Sequence, residues 1–192
     1  IHWCHSNIIK YCPWSRSHFA SVDEMNEKIV ENINSKVAEQ DTLIIVGDIC
    51  FARPEVGVEF LKRLNGFKKI VWGNHDTKLR ESSVFQQSRG LIGVTWEGDY
   101  LEFDHKFQEK KYKVVAAHYP FMTWNRAHHG AINVHGHCHS APDQRYLQGP
   151  NVRQIDIGLD GNYMMPHDMD DVCSEMSRRE IQRHGHHDGT RD

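Results

Sequence analysis

The stretch Thr42-Leu-Ile-Ile-Val-Gly-Asp48 decides how this chain folds. It is a short, wholly apolar run closed by Gly-Asp, the mark of a strand buried on both faces that turns into a loop at its carboxyl end. Upstream, Ser21 with Glu24 forms a capping box, in which each side chain satisfies an orphan backbone N–H at a helix start. Met25, Ile29, Ile33 and Val37 then recur every four residues as one apolar stripe, which predicts a helix to about Gln40. Downstream, Pro54 suits the first turn of a second helix carrying Val58, Leu61 and Leu64, stopped near Asn65-Gly66. Lys69-Ile-Val-Trp72 is the next predicted strand, and Thr77 to Ser88 a weaker helix. From Leu91 the pattern changes to strands, at roughly 91–95, 99–104, 111–117, 131–135 and 152–157, before a short helix over 168–176. Strand–helix alternation followed by many strands predicts an α/β fold: two packed mixed β-sheets flanked by helices, one domain over residues 1–176. Residues 177–192 read as a polar, disordered tail.

A chain of 192 residues is long enough to bury a real core. Its formal net charge of −3 gives no broad electrostatic reason to bind nucleic acid or an anionic membrane. The five cysteines are odd in number, scattered and without a C-x-x-C pair, so a disulfide framework is not expected and a reducing, cytoplasmic setting is. No apolar run is long enough for a membrane span, and the first residues do not form a secretory signal. Histidine is the outlier, at fifteen residues. His184, His186 and His187 belong to the polar tail, so position has to decide the rest.

Four segments place potential ligands directly after apolar strands: Gly47-Asp48, Gly73-Asn74-His75-Asp76, His118 after Val114–Ala117, and Gly136-His137-Cys138-His139 after Ile132–His135. Loops at the carboxyl ends of strands are where ligands collect in α/β folds. Glycine beside such a residue lets the backbone turn sharply and approach a bound ion. Carboxylate oxygen, amide oxygen and imidazole nitrogen suit Mn, Fe, Ni, Zn or Mg rather than a thiolate site. A carboxylate such as Asp48 can bridge two ions, and two ions about 3.5–4 Å apart clamp an in-line displacement at phosphorus. A lone Gly-Asp is more often a turn, and a lone buried histidine more often a satisfied core residue. Four such segments in one chain make coincidence a poor account.

The combination resembles the calcineurin-like metallophosphoesterase superfamily, whose pattern runs D-x-H, G-D, G-N-H-[DE], H and G-H-x-H. The likeness spans residues 1 to about 160 and is greatest to small, single-domain bacterial and phage-like members, through His2-Trp-Cys-His5-Ser-Asn7-Ile-Ile9 and Ile155-Asp-Ile-Gly-Leu-Asp160. It implies two divalent metal ions, one held by His2, Asp48 and His139 and the other by Asp48, Asn74, His118 and His137. It further implies a two-metal-activated hydroxide attacking phosphorus, His75 as proton donor to the leaving oxygen, and Asp76 orienting and charging the His75 imidazole. His5, Asn7 and Arg126 are candidate substrate contacts. The expected substrate is a phosphoester, a diester favoured over a monoester, with a nucleotide or RNA end in view rather than long duplex DNA, and without a membrane partner. One residue of the pattern is absent: its Asp belongs immediately ahead of Ile1, together with the strand that carries it. A first metal site short of one ligand supports an alternative, a catalytically impaired member of the fold acting as a protein-interaction scaffold.

Overall fold

The computed structural model describes residues 1–142 and 152–181. It opens with two short helices that the sequence pattern does not predict, α1 (Ile8–Tyr11) and α2 (Pro13–Arg16). Next comes α3 (Val22–Lys36), capped by Ser21, whose Oγ accepts from the Glu24 N–H at 3.1 Å. The Glu24 carboxylate reaches back to the Ala20 N–H at 2.8 Å, one residue beyond the usual box partner. The helix stops four residues short of Gln40, because Val37 turns to extended backbone.

The first sheet has the order β1 (Thr42–Ile45), β2 (Phe67–Val71), β3 (Val94–Gly98), and both of its ladders are parallel. Between β1 and β2 lies α4 (Pro54–Arg63). The weaker helix expected over 77–88 is two pieces, α5 (Thr77–Arg80) and α6 (Ser83–Ser88), divided where Ser82 caps the second through the Phe85 N–H. The strand expected at 91–95 begins only at Val94, because Ile92 and Gly93 close a turn onto Ser88 and Gly90.

The second sheet is mixed, in the order β4 (Tyr100–Phe107), β5 (Lys110–Ala117), β6 (Ile132–His135), β7 (Gln154–Asp156). Only the β4–β5 pair is antiparallel. Helix α7 (Met169–Ser177) follows.

Two buried clusters account for the layering. Met25, Ile29 and Ile33 of α3 and Phe60 and Leu61 of α4 pack on Ile45 and Ile70 of the first sheet. Val46 and Val71 meet Val114, Ala116, Ile132, Val134 and Ile155 of the second sheet, with Val172, Cys173 and Met176 of α7 added. Each wholly buried aliphatic side chain contributes about 1.5–3 kcal/mol relative to exposure, so alternation along β5 and β6 fixes which residues face inward. The outer face of the second sheet is closed by Trp124, Ala127 and Ala131 against Val115. The chain is thus an α/β fold of two packed sheets with flanking helices.

The expected disordered tail needs correction over its first residues. Arg179 donates to the Val152 and Gln154 carbonyls at 3.0 and 2.9 Å, and Arg153 Nε donates to the Arg179 carbonyl at 3.1 Å. These bonds tie the segment after α7 to β7. Residues 182–192, where the rest of that expectation falls, lie outside the described residues. Among the described residues, no helix is long and apolar enough to cross a membrane.

Candidate metal centre

The loops after β1, β2, β5 and β6 meet at one end of the molecule, so the cluster draws on both sheets. Gly47 and Gly73 lie back to back there. A Cβ on Gly47 would fall 2.5 Å from the Gly73 nitrogen, and one on Gly73 would fall 2.5 Å from the Asp48 nitrogen and Oδ1. Only glycine permits that crossing. Beside it, the first residues run parallel to the loop after β1: His2 N–H donates to the Asp48 carbonyl at 2.7 Å and Trp3 N–H to the Ile49 carbonyl at 2.9 Å. Backbone geometry thereby carries His2 onto Asp48.

Asp48 is buried at the centre. Its Oδ2 lies 3.4 Å from His2 Nε2 and 3.4 Å from His118 Nε2, and its Oδ1 accepts from the His75 N–H at 3.1 Å. Asp48, His118 and His137 bring their donor atoms within 4.8 Å of one another. Asn74 Oδ1 lies 2.9 Å from His118 Nε2. The His139 ring stands 4.5 Å from the His2 ring, centroid to centroid. A cavity of about 30 Å³ is walled by His2, Asp48, His118, His137 and His139. A far larger one, about 1470 Å³, runs along β1 past Ile45, Ile157 and His167, and only the smaller is bordered by the convergent donors.

The tautomers decide what this cluster can hold. Three imidazoles have Nδ1 engaged from behind: His118 with the Val46 carbonyl at 2.7 Å, His139 with Asp160 at 2.8 Å, and His2 with His5 Nδ1 at 3.1 Å. In each, Nε2 is the ring nitrogen that faces the cluster. At His118 the Val46 carbonyl takes the Nδ1 proton, and Nε2 faces Asn74 Oδ1 at 2.9 Å and Asp48 Oδ2 at 3.4 Å. Positive charge is favoured between that nitrogen and the two oxygens, and either a proton on His118 or a bound cation supplies it. Ligand bonds of about 2.1 Å place two donors on one ion about 3.0–3.4 Å apart, and the imidazole–carboxylate separations fall in that range. The residues therefore fit a divalent cation.

Burial opposes protonation of His118, but its bonds to Asp48 and the Val46 carbonyl outweigh it and raise the pKa. Burial likewise pushes Asp48 up, yet the bonds from His118, His2 and the His75 amide hold it below the usual carboxylate range. His2 behaves oppositely: burial dominates and lowers it to about 3, against the pull of Asp48. His2 and Asp48 are therefore not an ion pair at neutral pH, and His2 offers a neutral ring. Burial and the neighbouring His118 lower His137 in the same direction.

The structure brings His2, Asp48, Asn74, His118, His137 and His139 together as the sequence leads one to expect. His75 stands exposed at the mouth, its ring 4.7 Å from Phe51. The role expected of Asp76 is corrected. Its wholly buried carboxylate accepts from the Asp48, Ile49 and Gly73 N–H groups at 2.8, 2.7 and 2.8 Å, so it ties the loops after β1 and β2 together instead of charging the His75 ring. Burial raises its pKa while those amides lower it.

His5 stacks on Phe51 at 4.1 Å and backs His2. Asn7 is exposed at the start of α1, and Arg126 is exposed on the turn before Ala127 in left-handed backbone. Asp160, Arg16 and Trp14 are contributors that sequence reasoning passed over: Trp14 Nε1 donates to the His139 carbonyl at 3.1 Å. The only signal for Asp160 is its place at the end of the Ile155–Asp160 stretch.

No protein-family model matches the sequence. The chain is 25% identical over 188 residues to the uncharacterized protein MJ1445 of Methanocaldococcus jannaschii, covering 95% of this chain and 90% of that one. Its fold is similar to the crystal structure of AQ665, a protein of unknown function from Aquifex aeolicus, at 21% identity and a TM-score of 0.65 over 90% of this chain and 94% of the other.

Proposed function

We propose that the chain is a metal-dependent phosphoester hydrolase of the calcineurin-like metallophosphoesterase type, built around two divalent ions and favouring diesters. The observation that carries this reading is the buried Asp48 carboxylate, equidistant at 3.4 Å from the Nε2 atoms of His2 and His118. On one side Asn74 and His137 complete a ligand set, and on the other His139 joins His2. Two cations held side by side lower the pKa of water toward neutrality and offset charge growing on phosphoryl oxygens.

The chain's own groups supply the rest. Asp48 is shared, Asp76 keeps its loop against the Asn74 loop, and Gly47 and Gly73 allow the loops to touch. His75 is exposed at the rim like His137, but its backbone is pinned to Asp48 and its ring is not among the donor atoms that converge with Asp48 and His118. That position suits a proton donor to a leaving alkoxide, the poor leaving group of a diester. A nucleotide or an RNA end fits this chemistry.

The test is hydrolysis of bis-p-nitrophenyl phosphate and p-nitrophenyl phosphate with Mn or Ni added, beside a chelator-treated control. Turnover of the diester above the monoester, abolished by chelator, is the expected result. Protein that holds two ions per chain and turns over neither substrate counts against the proposal.

A further inference from the structure

The Asp160 carboxylate is among the most heavily engaged in the molecule. Arg16 meets it with both Nε, at 2.7 Å, and Nη2, at 2.8 Å; Ser15 Oγ donates to it; and His139 Nδ1 lies 2.8 Å from its Oδ2. The side chains of Arg16 and Asp160 are 1% and 2% exposed, so this is a buried, bidentate ion pair. Breaking such a pair by removing one partner strands a buried charge and is costly, whereas an apolar replacement of both partners is often neutral. Fold stability alone gives little reason to place a full charge pair here.

Arg16 also reaches the Ile1 carbonyl at 3.2 Å, one residue from His2. One guanidinium thus braces both imidazoles assigned to the first ion, His2 through the backbone and His139 through Asp160. Cys12 lies within 4.8 Å of His139 and Asp160, and those three could be read as a metal site of their own. Two facts oppose that: Asp160 is already committed to Arg16, and burial, aided by Asp160, pushes the Cys12 thiol up to about 12, leaving it protonated.

Building on the two-metal reading, we infer that Asp160, clamped by Arg16, is a positioning residue for the first metal site. It holds the proton of His139 on Nδ1 and so presents Nε2 as the coordinating nitrogen. A carboxylate behind a ligating imidazole fixes ring and tautomer and raises its basicity, and loss of such a partner costs about 10–100-fold in metal affinity.

Manganese titration, by calorimetry and by metal analysis after gel filtration, tests this on the wild-type chain, Asp160→Ala, and the double variant Arg16→Met with Asp160→Leu. The double variant leaves no unpaired buried charge, so it guards against simple unfolding of Asp160→Ala, and circular dichroism checks the fold of each. The expected result is two ions in the wild type, and in the double variant one ion at wild-type affinity with the other weakened about 10–100-fold. The 15N shifts of the His139 ring should report the Nδ1-protonated tautomer in metal-free wild type and lose it in the variants. Two ions bound at unchanged affinity by a folded double variant overturn the inference about Asp160 and leave the two-metal reading standing. Wild-type protein that takes up no pair overturns both.

Discussion

A single hydrogen bond joins Asp48 and His75, yet their replacements should fail in different ways. Asp48→Ala removes the shared carboxylate, so metal analysis should find the pair lost and turnover with it. His75→Ala removes only a ring at the rim, because the His75 contact to Asp48 is made by its backbone N–H. That variant should keep both ions while turnover of the diester falls about 10²–10⁴-fold; loss of metal in step with activity would contradict the proton-donor role. The candidate donors after β1, β2, β5 and β6 were legible in the sequence, since each lies in the loop directly after an apolar strand, whereas His2 was legible only through the resemblance. The bracing groups were not. Asp160 acts on Arg16 and His139 across the fold, and Asp76 on the amides of Asp48 and Ile49, and no local spacing announces contacts made by folding alone.

At the scale of elements, the turns after β1 and β2 behave as one unit because a single carboxylate holds them. Asp76→Ala strands three buried N–H donors, each costing about 1–3 kcal/mol when unsatisfied. Urea unfolding of this variant should show a loss of about 3 kcal/mol or more, together with weaker metal uptake. A stability unchanged from wild type would mean that the loops are held by other contacts. Strands β1, β2, β5 and β6 and helices α3 and α4 could be read ahead of the structure because each spans at least one full period of its apolar pattern. Helices α1 and α2 span four residues apiece, too short for a helical stripe to repeat. They are held by what surrounds them, Ile8 in the core and Arg16 on Asp160. The late onset of β3 and the early end of α3 are likewise turn decisions that apolar periodicity does not encode.

For the molecule as a whole, acid should act on the metal-free form through His2. Its folded pKa, about 3, lies below the ordinary imidazole value of about 6.5, so the unfolded chain takes up a proton that the folded chain refuses. Stability is unaffected by this group above about pH 6.5 and falls as pH drops from there toward 3, by up to ~1.4 kcal/mol per pH unit. His118 has the opposite sign: its pKa is raised on folding, so its contribution is complete below the unfolded value and is lost as pH rises through the folded one. Thermal melts in chelator should therefore decline on the acid side, and His2→Gln should flatten that limb; an unchanged acid limb would rule out His2 as its cause. Saturating manganese should raise the melting temperature most where His118 is otherwise losing its proton. Since Asp48 and Asn74 descend from one layer of strands and His118, His137 and His139 from the other, a loaded centre would rivet the two leaves of the sandwich at one end. Sliding of one leaf over the other would then be damped along its whole length, and amide exchange in β2 and β6, the strands that lead into the centre from opposite leaves, would slow when the ions arrive.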